Sequence, residues 1–161
     1  MNDSHATLLS VNESNQETIL AAACFRLGLL GARITQEFSV RVEEVGITHK
    51  QVGLLAVVSA GLARSQRDIA SLLHVAPSLV VSLVDQLIEA GAVTRSRSAT
   101  DRRVQVIELT DRGRGLLAAS TRAAADVDAE FRAGLSPAGR SALDVLLLDL
   151  DARHPVTFAE S

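Results

Sequence analysis

From about Gln16 to Glu44, apolar residues return at three- and four-residue intervals: Leu20, Cys24, Leu27, Leu30 or Gly31, Ile34 and Phe38. That is the period of one helix face, and Gly46 marks its end. The predicted helix is long and apolar on more than one face, so it is expected to pack on a partner chain as well as on its own core. Thr48-His49-Lys50-Gln51 has the form of a capping box, in which Thr takes a backbone N–H and Gln reaches back. A strongly apolar helix follows, Leu54 to about Ala60, and Gly61 stops it. Ser65-Gln66-Arg67-Asp68 is a second cap, after which Ile69, Leu72 and Leu73 give one apolar stripe over two turns. His74-Val75-Ala76 is a short connector, and Pro77 suits the first turn of a new helix. In that helix Val80, Leu83, Val84, Leu87 and Ile88 are expected to form the buried face, and Gly91 closes it.

Past Gly91 the period shortens. Val93 to Arg97 and Arg103 to Leu109 read as two short strands rich in β-branched residues, joined by the polar turn Ser98-Ala99-Thr100-Asp101-Arg102. Val106 and Ile107 are adjacent, so the second strand requires a bulge or burial on both faces. Thr110 caps the next helix, which runs through an Ala-rich stretch to about Phe131. Ser136-Pro137 opens the last, where Leu143, Val145, Leu146, Leu147, Leu148 and Leu150 make the surface apolar nearly all round. Residues 1–14 are polar and aperiodic and read as a tail, as do residues 156–161.

Composition narrows the function. The 161 residues are 47% hydrophobic and 22% charged, which is the balance of a globular protein. One cysteine, Cys24, excludes an internal disulfide and a cysteine-rich zinc site. His5, His49, His74 and His154 have no ligand-like spacing, so neither a metal nor a cofactor is expected. No apolar run approaches the roughly 20 residues of a membrane span, and the first residues lack the pattern of a signal peptide. The expected location is cytoplasmic, with no membrane partner. Four Phe, with no Trp or Tyr, argue against a base-stacking surface for single strands. A phosphate-cradling loop, a nucleophile elbow and a paired-carboxylate motif are all missing, so an enzyme is not expected. The formal charge of −3 hides an asymmetry: Thr94 to Gln105 carries Arg95, Arg97, Arg102 and Arg103 against Asp101 alone, a local +3. A local basic element of this kind suits a polyanionic partner.

Two short helices joined by a three-residue turn, followed by a hairpin with arginines at its tip, form a winged helix-turn-helix. A helix fits the major groove of B-DNA with its N-terminal N–H groups near phosphates, and an arginine-tipped hairpin reaches the minor groove beside it. On the predicted second helix Ser78, Ser82, Asp85, Gln86 and Glu89 lie opposite the buried face, flanked by Leu79 and Val81. Ser78 and Ser82 are best placed for bases or phosphates, and Leu79 or Val81 for thymine methyls. Asp85 and Glu89 would repel phosphates, so only the first two turns are expected to insert deeply.

The ordered series Gln51, Ser65-Gln66, Leu73 to Pro77, Val84-Asp85, Leu87, Gly91, Asp101-Arg102-Arg103, Leu109-Thr110 and Gly113 closely resembles the MarR family of bacterial transcription regulators. The resemblance covers roughly Leu27 to Gly113. It implies a mainly α fold with a small β-hairpin wing, and long N- and C-terminal dimerisation helices. The domains are then 15–47 and 111–155 for dimerisation and 48–110 for the DNA-binding winged helix-turn-helix. The implied partners are double-stranded DNA with a pseudo-palindromic operator, a second copy of the chain in a homodimer, and a small-molecule effector. The implied DNA-contacting residues are Ser65, Gln66, Arg67, Pro77, Ser78, Leu79, Val81, Ser82, Arg95, Arg97, Asp101, Arg102 and Arg103. Arg103 would enter the minor groove, and Asp101 would orient it through an ion pair. His49 lies beside the family's effector cleft, with Phe25 and Phe38 as further candidates.

The chain departs from the family pattern in its second helix, which has no Lys or Arg. Ser82 stands where a basic residue is frequent, and Leu79 where Thr is. Ala76 occupies the N-cap site, and His74 the place where Gly often allows a left-handed turn. Cys24-Phe25-Arg26-Leu27 resembles the sensing-cysteine region of the peroxide-sensing branch, with Arg26 or Arg33 available to support a thiolate. That branch uses tyrosines, which this chain lacks, and a cysteine on an apolar stripe is more often a buried small hydrophobe. Redox sensing through Cys24 and a winged helix that docks protein are the two rival functions.

Overall fold

The structure, a computed structural model, describes residues 19–63, 65–97 and 105–153. A short 3-10 turn at Ile19–Ala21 precedes helix α1, Ala23–Glu43. There follow α2, His49–Ser59, α3, Gln66–Leu72, and α4, Pro77–Glu89. Strands β1, Val93–Arg97, and β2, Gln105–Leu109, form one antiparallel hairpin. Helices α5, Asp111–Ala133, and α6, Pro137–Arg153, complete the described chain. This is the mainly helical winged helix-turn-helix that the sequence predicts. The described residues fall into two units, one ending at Glu37 and the other beginning at Phe38.

In the second unit the core gathers where α2, α3, α4 and the hairpin meet. Leu54, Leu55, Ile69, Val80, Val84 and Leu87 are fully buried there, with Ile107 of β2 beneath the hairpin. Burying each such side chain contributes about 1.5–3 kcal/mol, which fixes the short helices that could not stand alone. Ile88, expected on the buried face of α4, is instead 37% exposed. It lies roughly 80° around the helix from Val80, at the margin of the stripe.

The turns follow from a few residues. After α4, Gly91 adopts φ +68°, its N–H donates to Ile88 O (2.9 Å), and the next N–H, of Ala92, donates to Leu87 O (2.8 Å). This is a Schellman ending, and glycine takes its left-handed position at no steric cost. The turn after α3 has the same pattern: His74 N–H donates to Ser71 O and Val75 N–H to Ala70 O. Here the left-handed residue is His74 itself, at φ +51°.

The start of the first helix and the burial of Cys24 are corrected, and of the two alternatives for the second strand the structure takes burial on both faces. The first helix begins at Ala23 rather than near Gln16, behind the 3-10 turn at Ile19–Ala21. Among the described residues its apolar stripe is exposed, with Leu20, Leu27 and Leu30 at 60%, 45% and 55%, and Cys24 is exposed rather than buried. The hairpin has no bulge over its described length, since Val93 to Arg97 pairs one-to-one with Leu109 to Gln105. The adjacent apolar pair in β2 is accommodated by unequal burial, with Ile107 in the core and Val106 half-buried on the other face. No single described helix is long and apolar enough to cross a membrane.

Candidate nucleic-acid interface

The interface is built on caps. Thr48 accepts from the Gln51 N–H (3.3 Å) while Gln51 Oε1 accepts from the Thr48 N–H (2.8 Å), so the predicted capping box closes at the start of α2. Ser65 caps α3, its Oγ accepting from the Asp68 N–H (3.2 Å) and donating to Asp68 Oδ2 (2.5 Å). In α4, Pro77 occupies the first turn and Ala76 supplies no side-chain cap. The opening N–H groups of α4 therefore have no side-chain acceptor from the cap residue, and the helix dipole adds positive potential there.

Along α4, Ser78, Val81 and Ser82 are exposed and Leu79 is half-buried against the core. Val81 leaves 42% of its surface in solvent on an otherwise polar face. Arg67 of α3 is exposed nearby in sequence, and Gln66 is half-buried. The buried Nε2 of Gln66 meets no acceptor among the described residues.

Two contacts that sequence reasoning missed tie α4 to its neighbours. Gln51 Nε2 donates to Gln86 Oε1 (3.0 Å), and Gln86 Nε2 donates to Ser82 Oγ (3.1 Å), a polar chain running from α2 along α4. On the other side Arg95 of β1 donates to Asp85 Oδ1 at 2.7 Å. The partners lie 35 and 10 residues apart in the two interelement bonds, so no local spacing rule links them. Arg97, the last residue of β1, is exposed opposite Gln105. Asp101, Arg102 and Arg103 lie outside the described residues, as do the tails, His5 and His154.

The hairpin is anchored at its base by Thr110. Its Oγ1 donates to Gly91 O (2.7 Å) and Ala92 O (3.1 Å) and accepts from the Gly113 N–H (3.1 Å), joining the end of α4 to the start of α5. Gly113 sits against the Ala92 carbonyl, where an added Cβ would come within 2.0 Å of the oxygen. Arg114 donates to Leu109 O (2.9 Å) and pairs with Asp111, holding the strand end to the same helix.

Two further features frame the interface. A cleft of about 290 Å³ is lined by His49, Lys50, Gly53, Leu73, Val75, Leu79 and Leu83. His49 Nδ1 lies 2.9 Å from Ser39 Oγ, which orients the ring. Of the other effector candidates, Phe38 is half-buried and Phe25 of α1 is 37% exposed, and neither lines this cleft. Ion pairs brace the long helices. Arg41 Nη2 donates to both carboxylate oxygens of Glu130 (2.7 and 2.8 Å), and Arg132 bridges Asp128 (2.8 Å) and Asp144 (2.7 Å). Hydrogen bonding to these carboxylates raises both guanidinium pKa values, Arg41 through Glu130 and Arg132 through Asp144 and Asp128. Among the described residues no cluster of His, Cys, Asp and Glu is suited to a metal.

Comparison with known proteins agrees with this geometry. The model of the MarR family matches residues 45–104, from the approach to α2 to the residue before β2. A proposed transcriptional regulatory protein for the hcr operon of Thauera aromatica is 35% identical over 118 residues, 71% of each chain. Among solved structures, the transcriptional repressor CouR bound to a 23-mer DNA duplex matches with a TM-score of 0.74 at 28% identity, covering 87% of this chain and 97% of that one. CouR from Rhodococcus jostii RHA1 bound to p-coumaroyl-CoA matches with a TM-score of 0.73 at 22% identity, covering 89% and 99%. The winged helix-turn-helix, the ordered motifs around it and these likenesses agree: the chain belongs to the MarR family of transcription regulators.

Proposed function

We propose that the protein binds a pseudo-palindromic duplex site as a homodimer and releases it when a small-molecule effector binds. The observation that carries the reading is the start of α4. Its first turns are exposed and uncapped, present Ser78, Val81 and Ser82, and lie between the Ser65-capped helix α3 and an arginine-bearing hairpin. In this reading residues 48–110 bind DNA, and 15–47 with 111–155 form the dimer. Ser65, Gln66 and Arg67 meet the phosphate backbone beside α4, while Pro77, Ser78, Leu79, Val81 and Ser82 form the part that enters the major groove. Arg97, Arg102 and Arg103 supply the wing's cations, with Asp101 orienting Arg103.

The wing carries more of the affinity than the helix, because α4 has no Lys or Arg and its first two turns offer only neutral groups. Arg103→Ala removes a charge-assisted interaction of about 1.5–3 kcal/mol, and Ser82→Ala a hydrogen bond of about 1 kcal/mol. The test is titration of a labelled duplex, selected from a randomised pool by the wild-type protein, at several salt concentrations. Arg103→Ala weakens binding more and flattens the log–log salt slope by about 0.9 for each phosphate that is no longer neutralised, while Ser82→Ala leaves the slope unchanged. Equal affinity of Arg103→Ala and wild type refutes the assignment.

For the effector, the cleft at His49 is the favoured site. Leu79 and Leu83 of α4 form part of its wall, so an occupant presses directly on the DNA-facing helix. Its apolar lining with Lys50 and His49 suits a small ligand with an apolar body and an anionic group.

A further inference from the structure

α4 carries an acid, Asp85, on the same side as the residues proposed to meet DNA, and simple electrostatics makes that acid a liability beside phosphate. The acid is not left facing solvent alone: Arg95 holds its Oδ1 at 2.7 Å. Arg95 stands opposite the fully buried Ile107 in the hairpin ladder, and its side chain is 29% exposed against 59% for Asp85. The ion pair thus runs from the base of the hairpin, where β1 rests on the core, to the third turn of α4. On its other side α4 is fastened to α2 through Gln51, Gln86 and Ser82.

We infer that the Asp85–Arg95 pair is a strut that sets the angle of the hairpin to the recognition helix. Asp85 then promotes duplex binding despite its charge, and Arg95 is a positioning residue rather than a phosphate ligand. An exposed pair of this kind adds little to folding stability, so its effect is geometric. β1 acts as the lever: Arg97 lies two residues beyond Arg95, about 7 Å further along the strand, and the arginines of the turn follow it. Loosening the pair frees the described end of β1 with Arg97, so charge that would have met phosphate in a fixed register is spread over many orientations.

The inference rests on the DNA-binding reading, and its experiment separates the two. Full-length wild type, Asp85→Ala, Asp85→Asn, Arg95→Ala and the double alanine variant are titrated against the selected duplex over a range of salt. Either alanine variant is expected to weaken binding by about fivefold, the equivalent of a well-formed exposed ion pair. The double variant is expected to bind no worse than either single one, because both remove the same interaction. Asp85→Asn, which keeps an acceptor oxygen for Arg95, is expected to fall between wild type and Asp85→Ala. All variants keep the wild-type salt slope.

Tighter binding by Asp85→Ala overturns the proposal, as does a slope flattened by about 0.9 in Arg95→Ala, which identifies direct neutralisation of a phosphate. Additive losses in the double variant overturn it too. If the wild-type protein selects no duplex, the DNA-binding reading fails, and amide hydrogen exchange of the free protein decides the strut. Exchange at the hairpin amides is then expected to quicken in both single variants and no further in the double one, with α2 amides unchanged. Unaltered hairpin exchange refutes it.

Discussion

At Gly113 the absence of a single carbon atom allows the hairpin to be closed at its base. The α5 backbone comes so near the Ala92 carbonyl that a Cβ would stand 2.0 Å from its oxygen, and that oxygen also accepts from the Thr110 N–H (3.0 Å) and hydroxyl (3.1 Å). Backbone on both sides leaves nothing flexible to move aside. Gly113→Ala is therefore expected to destabilise the protein by at least about 3 kcal/mol, measured by urea unfolding, because overpacking here displaces the cap and the strand end together. His74 is the opposite case. It holds φ +51° at the end of α3, where a residue with a Cβ pays roughly 1–2 kcal/mol. His74→Gly removes that strain at some cost in chain entropy, so a net gain of about 0.5–1 kcal/mol is expected in the same measurement. The His74 turn is legible through the family resemblance, which puts His74 where Gly often allows a left-handed turn. The close approach at Gly113 is not, because nothing local to Thr110–Gly113 indicates that Ala92 lies against it.

Elements show the same division between local and distant causes. The capping box at Thr48, the caps at Ser65 and Thr110, Pro77 at the start of α4 and the glycine ends at Gly46, Gly61 and Gly91 all form where the residue pattern places them. Each depends on groups three or four residues apart, which a chain read in order displays directly. The Asp85–Arg95 pair and the Gln51–Gln86 bond are not visible in that way, although periodicity puts Asp85 and Gln86 on the correct side of α4. Amphipathic periodicity gives the face of a helix and is silent on which distant side chain will meet it. α4 is also the least well capped of the described helix starts in residues 48–110, since Ala76 offers no acceptor where Thr48 and Ser65 do. Ala76→Ser is expected to stabilise the protein by about 1 kcal/mol, read as a raised urea midpoint at constant slope. A hydroxyl placed over the opening N–H groups also competes with phosphate for them, so the same variant is expected to gain stability without gaining duplex affinity.

For the whole molecule, the decisive quantity is apolar surface that a single chain leaves in water. On α1, Leu27, Leu29 and Leu30 are 45%, 56% and 55% exposed, and on α6 Val145, Leu147 and Leu148 are 58%, 45% and 69% exposed. Scattered exposed leucines are ordinary, but runs of them on two long helices outside the winged core are the surface that the proposed homodimer would cover. The surplus is readable in the sequence as helices apolar on too many sides, whereas the identity of what covers it is not, because periodicity counts faces and not partners. A homodimer accounts for both runs at once, since a two-fold interface uses the same surfaces twice. It would also present two recognition helices to one face of a duplex, about 34 Å apart for half-sites one turn apart. Leu148→Glu puts a charge into that surface while leaving the winged core untouched. Sedimentation at low micromolar concentration is expected to show a dimer for the wild-type protein and a shift to monomer for Leu148→Glu. Footprinting on the selected duplex is expected to fall from two protected half-sites to weak protection of one, because the second recognition helix no longer binds at the effective concentration that the dimer provides. A wild-type protein that sediments as a folded monomer, or that protects a single half-site, contradicts the dimer. A Leu148→Glu variant that remains fully dimeric would instead show that α6 faces solvent in the assembly and that its apolar run has another cause.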